Sequence, residues 1–391
     1  MGDKDDTIVF SLMGDDITES QITHLISLIA NRGHRNEEMS IDGQVEEYIG
    51  RPDYHQNVQS FFDHESPIMS YCAYEVIKEK FIIEDECWFK ESHFTPTAKK
   101  IPALYDTLSL KKTPQKKEDR VRIPKKGHYF CKHKEDGTKW VFSFQTWEGA
   151  EIDIKISTAE SHDRIKEVFD SIDSFFALKG PLKGACFNPH WKWVEPDFAD
   201  WSSVVLGEDV KDALDLNIVT FLENLQLYEN HNLPTSRGIL LSGLPGTGKT
   251  LTMEVLLNEF QDYTRIYAPA ETLSQPNGIN DTYALARKLS PTLVIIEDID
   301  TLGQAQDHHD RSIYVSQLLS SLNSAEPNSG VITVASTNYP QALDIALRDR
   351  PGRFDARINF SLPTPSERLE ILKKYSEPFK VSDIKWKGWA K

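Results

Sequence analysis

Residues 243–250 read GLPGTGKT: Gly243 and Gly248 bracket four residues and are followed by Lys249 and Thr250, between an apolar stretch at 238–242 and a segment of helical pattern. This is the spacing of a phosphate-binding loop. Gly243, Gly246 and Gly248 let successive backbone N–H groups turn inward onto phosphate oxygens, which also meet the positive end of the following helix. Pro245, Thr247 and Leu251 complete the cradle and its first helical turn. Lys249 brings a point charge to the outer phosphates, and Thr250 offers a hydroxyl to Mg2+. The chemistry implied is the binding of a nucleoside triphosphate.

Further along, Leu293-Val-Ile-Ile296 reads as a buried strand that ends in Glu297-Asp-Ile-Asp300. Phosphoryl transfer to water requires one carboxylate near the metal and another to orient or deprotonate the attacking water. Taken in order, Glu297 serves the metal and Asp298 the water. A second β-branched run, 331–335, ends at Ser336-Thr337-Asn338, where a side-chain amide can contact the γ-phosphate or the water. Residues 346–355, ALRDRPGRFD, set Arg348, Arg350 and Arg353 around a Pro-Gly turn, a placement suited to an anionic transition state.

In this order GLPGTGKT, IIEDID, ASTN and RPGRFD resemble the AAA+ ATPase superfamily, and within it the AAA proteins that carry the RPGRFD signature. The resemblance runs from about Trp201 to about Tyr375. It implies ATP and Mg2+ as cofactors, with Lys249 on the phosphates and Thr250 and Glu297 at the metal. Glu297 and Asp298 fill the two Walker B positions and Asn338 takes that of sensor 1. Arg350 and Arg353 look like arginine fingers that act on the ATP of a neighbouring subunit, and Val204 and Val205 fall where the family packs against adenine. Self-association into a ring, a hexamer by resemblance, follows.

Three departures from the family pattern matter. Walker B runs Glu297 then Asp298, where the family usually has Asp then Glu; this resembles the variant in mitochondrial respiratory-complex chaperones of the AAA class. An Asp base is shorter by a methylene, which fits slow or conformationally gated hydrolysis. The segment at the family's pore loop, residues 273–280 (LSQPNGIN), has no aromatic residue and is short. The helical lid that should follow Pro363 is truncated or absent, with residues 364–391 as an incomplete start.

These residues need a scaffold. Strand candidates at 238–242, 264–268, 292–296, 331–335 and 356–360 alternate with helical patterns. That predicts an α/β P-loop NTPase core: a parallel sheet covered by helices on both faces, with the nucleotide at the carboxyl ends of its strands. A helix over 207–230 is expected to bury Leu214, Ile218, Phe221, Leu222 and Leu225.

The core, 191–363, is preceded by an α+β accessory region. A partly helical unit, 1–85, opens with a capping box at Thr18-Glu-Ser-Gln21. An accessory domain, 86–190, contains a hairpin with Trp140, Phe142 and Phe144 alternating on one strand and Ile152, Ile154 and Ile156 on the next. A helix carrying Ile165, Val168, Phe169, Ile172 and Phe176 follows.

The chain has 44 Lys and Arg against 60 Asp and Glu, a formal net charge of −16, so that as a whole it is repelled by nucleic acid and acidic membranes. A protein client is therefore expected over a nucleic acid. The basic stretch from Lys111 to Lys134 runs against this trend and reads either as a site for an acidic partner or as a solvated, lysine-protected linker. Four cysteines without close spacing argue against a zinc module and fit a reducing compartment. No apolar run approaches the ~18 residues needed to cross a bilayer, so the expectation is a cytoplasmic protein without a membrane anchor.

The leading functional reading is a ring-forming ATPase that hydrolyses ATP with Mg2+ to remodel or move a macromolecular client. The alternative is a nucleotide-gated assembly switch with slow hydrolysis and no threading of the client.

Overall fold

A computed structural model describes residues 8–12, 15–18, 41–62, 64–92, 95–111, 116, 119–147, 151–302, 308–322, 328–339 and 354–376. The chain divides into two compact units. The smaller comprises residues 1–61, 74–106 and 123–168, and the larger 62–73, 107–122 and 169–391. The helix expected after Thr18 lies outside the described residues; Thr18 itself closes a short strand.

In the chain's first half, β1 (Ile8–Leu12) and β2 (Asp15–Thr18) form a ribbon. An antiparallel sheet follows, built from β3 (His55–Phe61), β4 (Phe81–Ser92), β5 (Thr95–Ile101), β6 (Leu104–Ser109), β7 (Arg120–His133), β8 (Lys139–Thr146) and β9 (Ile152–Thr158). Its order is β3-β9-β8-β7-β4-β5, with β6 beside β7. The expected hairpin is β8 and β9: Phe142 faces Ile156 and Phe144 faces Ile154, and all four are fully buried. Period-two alternation of aromatic and β-branched residues produces this, because partners opposite each other in an antiparallel pair share one face. The helix His162–Lys179 buries Ile165, Val168, Phe169, Ile172 and Phe176, as its spacing predicts.

The larger unit is organised on six parallel strands: β10 (Cys186–Phe187), β11 (Arg237–Gly243), β12 (Thr264–Pro269), β13 (Thr292–Glu297), β14 (Val331–Thr337) and β15 (Ala356–Phe360). Their spatial order is β10-β12-β13-β14-β11-β15. Five match the strand candidates; β10 is only two residues long and carries no periodic signal of its own.

Helices cover both faces. Ile239, Leu241, Leu293, Ile295, Ile332 and Val334 pack with Leu214, Phe221, Met253 and Leu256 of helices on one side. On the other side, Tyr283 of the helix Gly278–Lys288 is fully buried, and its hydroxyl lies 2.9 Å from that of Thr333. Strands buried on both faces are mostly apolar, and β13 and β14 carry the runs Leu293–Ile296 and Val331–Ala335, interrupted only by the buried Thr333.

The helix expected over 207–230 is present in pieces. Glu208–Leu214 passes into a π-helical turn, Asp215–Val219, then Thr220–Glu223; a break at Asn224 separates it from Leu225–Asn230. Two amides compete with the ladder here: Asn217 donates to the Ala213 carbonyl at 2.9 Å and Asn224 to that of Thr220 at 2.7 Å. Leu214, Ile218, Phe221 and Leu222 are buried all the same, while Leu225 is only half-buried.

Candidate active site

Strand order locates the site. β11 lies between β14 and β15, whereas the strand that follows it in sequence, β12, lies on the far side of β14 and β13. The crevice at its carboxyl end is the topological switch point, where open α/β sheets hold their ligands. The turn that leaves β11 there is residues 243–250.

Gly243 is tied to the sheet, since a Cβ at that position would collide with the Phe360 carbonyl of β15. Gly248 is the N-cap of the helix Lys249–Glu259, with φ 99°, a left-handed conformation that L side chains avoid. Thr247 is buried and its hydroxyl donates to the Leu244 carbonyl at 2.8 Å. Lys249 is 5% exposed, and its Nζ donates to the carbonyls of Gly243 (2.7 Å) and Leu244 (2.9 Å). Burial lowers the pKa of this ammonium, while Asp298 and Asp300 act to raise it. Thr250, in the first helical turn, is exposed, as are Pro245 and Gly246; Leu251 is half-buried.

On the neighbouring strands, β13 ends at Glu297 and Asp298 follows with φ 48° and ψ 56°. A left-handed aspartate stores local backbone strain and redirects its side chain. Four bonds to the end of β14 hold the turn. The Asp298 backbone N–H donates to Ser336 Oγ at 3.0 Å, and Asn338 Nδ2 donates to Asp298 Oδ1 at 2.9 Å. Asp300, buried, accepts from Thr337 Oγ1 and from the Asn338 backbone N–H, each at 2.9 Å. Burial raises the Asp298 pKa, as do Asp300 and Glu297, against the opposing pull of Lys249 and Asn338. A carboxylate made more basic in this way is better suited to taking a proton from water.

Glu297 is held separately. Its Oε2 accepts from the Tyr267 hydroxyl, which reaches over from β12. Burial and Glu297 both push the Tyr267 pKa well above its ordinary value, so the phenol remains a donor.

Val204 and Val205 line a cleft over the loop together with Leu206, Gly248, Ile371 and Tyr375. Val204 and Leu206 are nearly buried and would each lie 3.6 Å from a Cβ placed on Gly248. The far wall belongs to the helix Pro365–Ser376. A capping box opens it: the Thr364 backbone N–H donates to Glu367 Oε2 at 2.7 Å and the Glu367 N–H to Thr364 Oγ1 at 3.4 Å. This helix is thus part of the cleft.

The structure therefore gathers the loop, Glu297, Asp298, Asn338 and the two valines around one crevice. Arg350 and Arg353 lie outside the described residues. Reading the sequence missed Tyr267, Ser336, Leu206, Ile371 and Tyr375. The signal for Ile371 and Tyr375 was available in the capping-box spacing at 364–367; Tyr267 reads only as strand aromatic until strand register is known.

The donor set suits ATP with Mg2+: backbone N–H groups at a helix start, a lysine, an exposed threonine in its first turn and a carboxylate pair. Among the described residues no group of three or more His, Cys, Asp or Glu side chains is placed to hold a metal by itself. A phosphate-bound Mg2+ does not require one, because it draws ligands from phosphates and water.

Sheet order, loop and acids define a P-loop nucleoside triphosphatase fold. Residues 239–362 match the family model for "ATPase family associated with various cellular activities (AAA)", and this segment is an AAA ATPase domain. Three similar relatives illustrate its company. The "ATP-dependent zinc metalloprotease FtsH 3" of Sphaerobacter thermophilus is 33% identical over 196 residues, 47% of this chain and 38% of the relative. The "ATP-dependent zinc metalloprotease FtsH 2" of Salinibacter ruber is 34% identical over 194 residues, 47% of this chain and 28% of the relative. The "Mitochondrial inner membrane m-AAA protease component yta12" of Schizosaccharomyces pombe is 31% identical over 216 residues, 52% of this chain and 27% of the relative. The match thus spans well under half of each. Among the described residues no helix is long and apolar enough to cross a membrane.

Proposed function

We propose that this chain binds ATP with Mg2+ in the crevice at β11 and hydrolyses it, using the energy to remodel a protein client as one subunit of a ring. The observation that carries the reading is the Asn338–Asp298 hydrogen bond of 2.9 Å, which couples the amide at the end of β14 to the carboxylate at the end of β13 beside the phosphate loop. The roles are distinct. Backbone N–H groups of residues 243–250 and Lys249 bind the phosphates; Thr250 and Glu297 hold Mg2+, which shields phosphate charge when bound. Asp298 takes a proton from the attacking water and Asn338 aims it. Val204, Val205 and the 365–376 helix enclose the base. Arg350 and Arg353 reach the ATP of the next subunit.

The protein client rests on the net charge of −16 and on the protease names of the relatives. Asp298→Asn tests the central assignment. Unchanged ATP affinity with phosphate release lost is the expected result, and undiminished turnover overturns it.

A nucleotide-gated assembly switch remains a second reading, favoured by one feature. Only four residues, 274–277, join the helix Ala270–Leu273 to the helix Gly278–Lys288, and none is aromatic. A turn this short offers little to grip a threaded polypeptide. Assembly that follows ATP occupancy in the hydrolysis-deficient Asp298→Asn variant would support the switch.

A further inference from the structure

An acid at the end of β13 that serves a metal must present its carboxylate in one place. Aspartate does so with a short side chain. Glu297 has one more rotatable bond, and locking it costs side-chain entropy unless a partner holds it. The structure supplies a partner on the adjacent strand. Strand register sets Tyr267 beside Ile295, two residues before Glu297, so Tyr267, Ile295 and Glu297 share one face of the sheet. On that face Ile295 belongs to the core beneath the helix Lys249–Glu259, and the Tyr267 ring packs against the same cluster. With its ring fixed, the phenol extends along the strand direction and its hydroxyl donates to Glu297 Oε2. One carboxylate oxygen is thereby occupied by the protein, and the other, Oε1, is left for the metal side of the site.

We propose that Tyr267 is a positioning residue for Mg2+ binding, holding the longer carboxylate of Glu297 where a shorter one would need no help. The inference rests on the reading of the crevice as an ATP–Mg2+ site. It makes Tyr267 and Glu297 a unit: removing the phenolic oxygen frees the carboxylate, and removing the carboxylate charge deprives the phenol of its purpose.

The experiment is calorimetric titration of a non-hydrolysable ATP analogue into the whole chain over a range of Mg2+ concentrations, and again in EDTA. Wild type, Tyr267→Phe, Glu297→Gln and the double variant are compared, and thermal melting confirms that each folds. In Tyr267→Phe the Mg2+ concentration for half-maximal tightening should rise roughly tenfold, the lower end for loss of an outer partner of a metal ligand, while affinity in EDTA stays unchanged. In the Glu297→Gln background the same substitution should add almost nothing, because coupled residues are not additive. An unaltered Mg2+ dependence in Tyr267→Phe, with a clear dependence in wild type, overturns the positioning role alone. Absence of any Mg2+ effect in wild type overturns the nucleotide-site reading as well. A uniform loss of affinity in EDTA and Mg2+ alike marks Tyr267 as merely structural and also overturns the proposal.

Discussion

In the proposed reaction Lys249 and Asp298 divide the work of the crevice between charge and proton transfer, and each leads to a separable outcome. Lys249 is buried on the carbonyls of Gly243 and Leu244, which pay part of its desolvation until phosphate oxygens replace them. Lys249→Ala should therefore abolish measurable ATP binding, read by fluorescence titration with a labelled nucleotide, while the fold persists. Asp298 carries an unfavourable charge: burial, then Asp300 and Glu297, raise its pKa above the ordinary 3.8. The sign is fixed by proton affinity. The folded chain binds this proton more tightly than the unfolded chain does, so stability is lost as pH rises from about 3.8 through the raised folded value. Asp298→Asn removes the charge and keeps an acceptor for Asn338. It should raise stability by about 0.5–1 kcal/mol at pH 7, modestly because the half-exposed carboxylate is partly screened. Melting curves should converge for variant and wild type as pH falls toward 4, and hydrolysis should fail throughout.

The elements that present these residues were legible to different degrees. The strands at 238–242, 292–296 and 331–335 declared themselves as short, mostly apolar runs, since burial on both faces demands that pattern, whereas 264–268 and 356–360 alternate and bury one face more fully than the other. The loop and the acids followed from residue type and spacing alone. What stayed hidden depended on register or on side-chain competition with the backbone: the Tyr267–Glu297 contact crosses two strands, and the π turn at 215–219 accompanies a backbone bond from Asn217. The helix Pro365–Ser376 illustrates a legible signal passed over, since Thr364 and Glu367 form its capping box. Because this helix brings Ile371 and Tyr375 to the cleft, its stability bears on nucleotide affinity. Thr364→Ala should cost about 1 kcal/mol of helix stability. The expected readout is a several-fold weaker affinity for ATP with the Mg2+ dependence retained; an unchanged dissociation constant would detach the helix from nucleotide binding.

For the whole molecule, the question is whether one subunit is sufficient. Asp298, Asn338, Glu297 and Lys249 bring two acids, an amide and a cation to the crevice, yet among the described residues no arginine lines the cleft at Val204 and Val205. In the proposed ring Arg350 and Arg353 supply positive charge from the neighbour, and a finger of that kind contributes on the order of 10³ or more to the rate of phosphoryl transfer. Arg350→Ala and Arg353→Ala should thus bind ATP normally and hydrolyse it poorly, and wild-type specific activity should rise with protein concentration as subunits assemble. Mixing decides the direction of the contact. Lys249→Ala subunits cannot bind ATP but offer intact fingers; Arg350→Ala subunits bind ATP but lack one. Mixed rings pair an intact loop with an intact finger at some interfaces, so two inactive preparations should partly restore phosphate release, with recovery tracking the fraction of mixed assemblies seen by light scattering. Full turnover by a monomeric species would exclude a finger in trans and leave the nucleotide-gated switch as the better account.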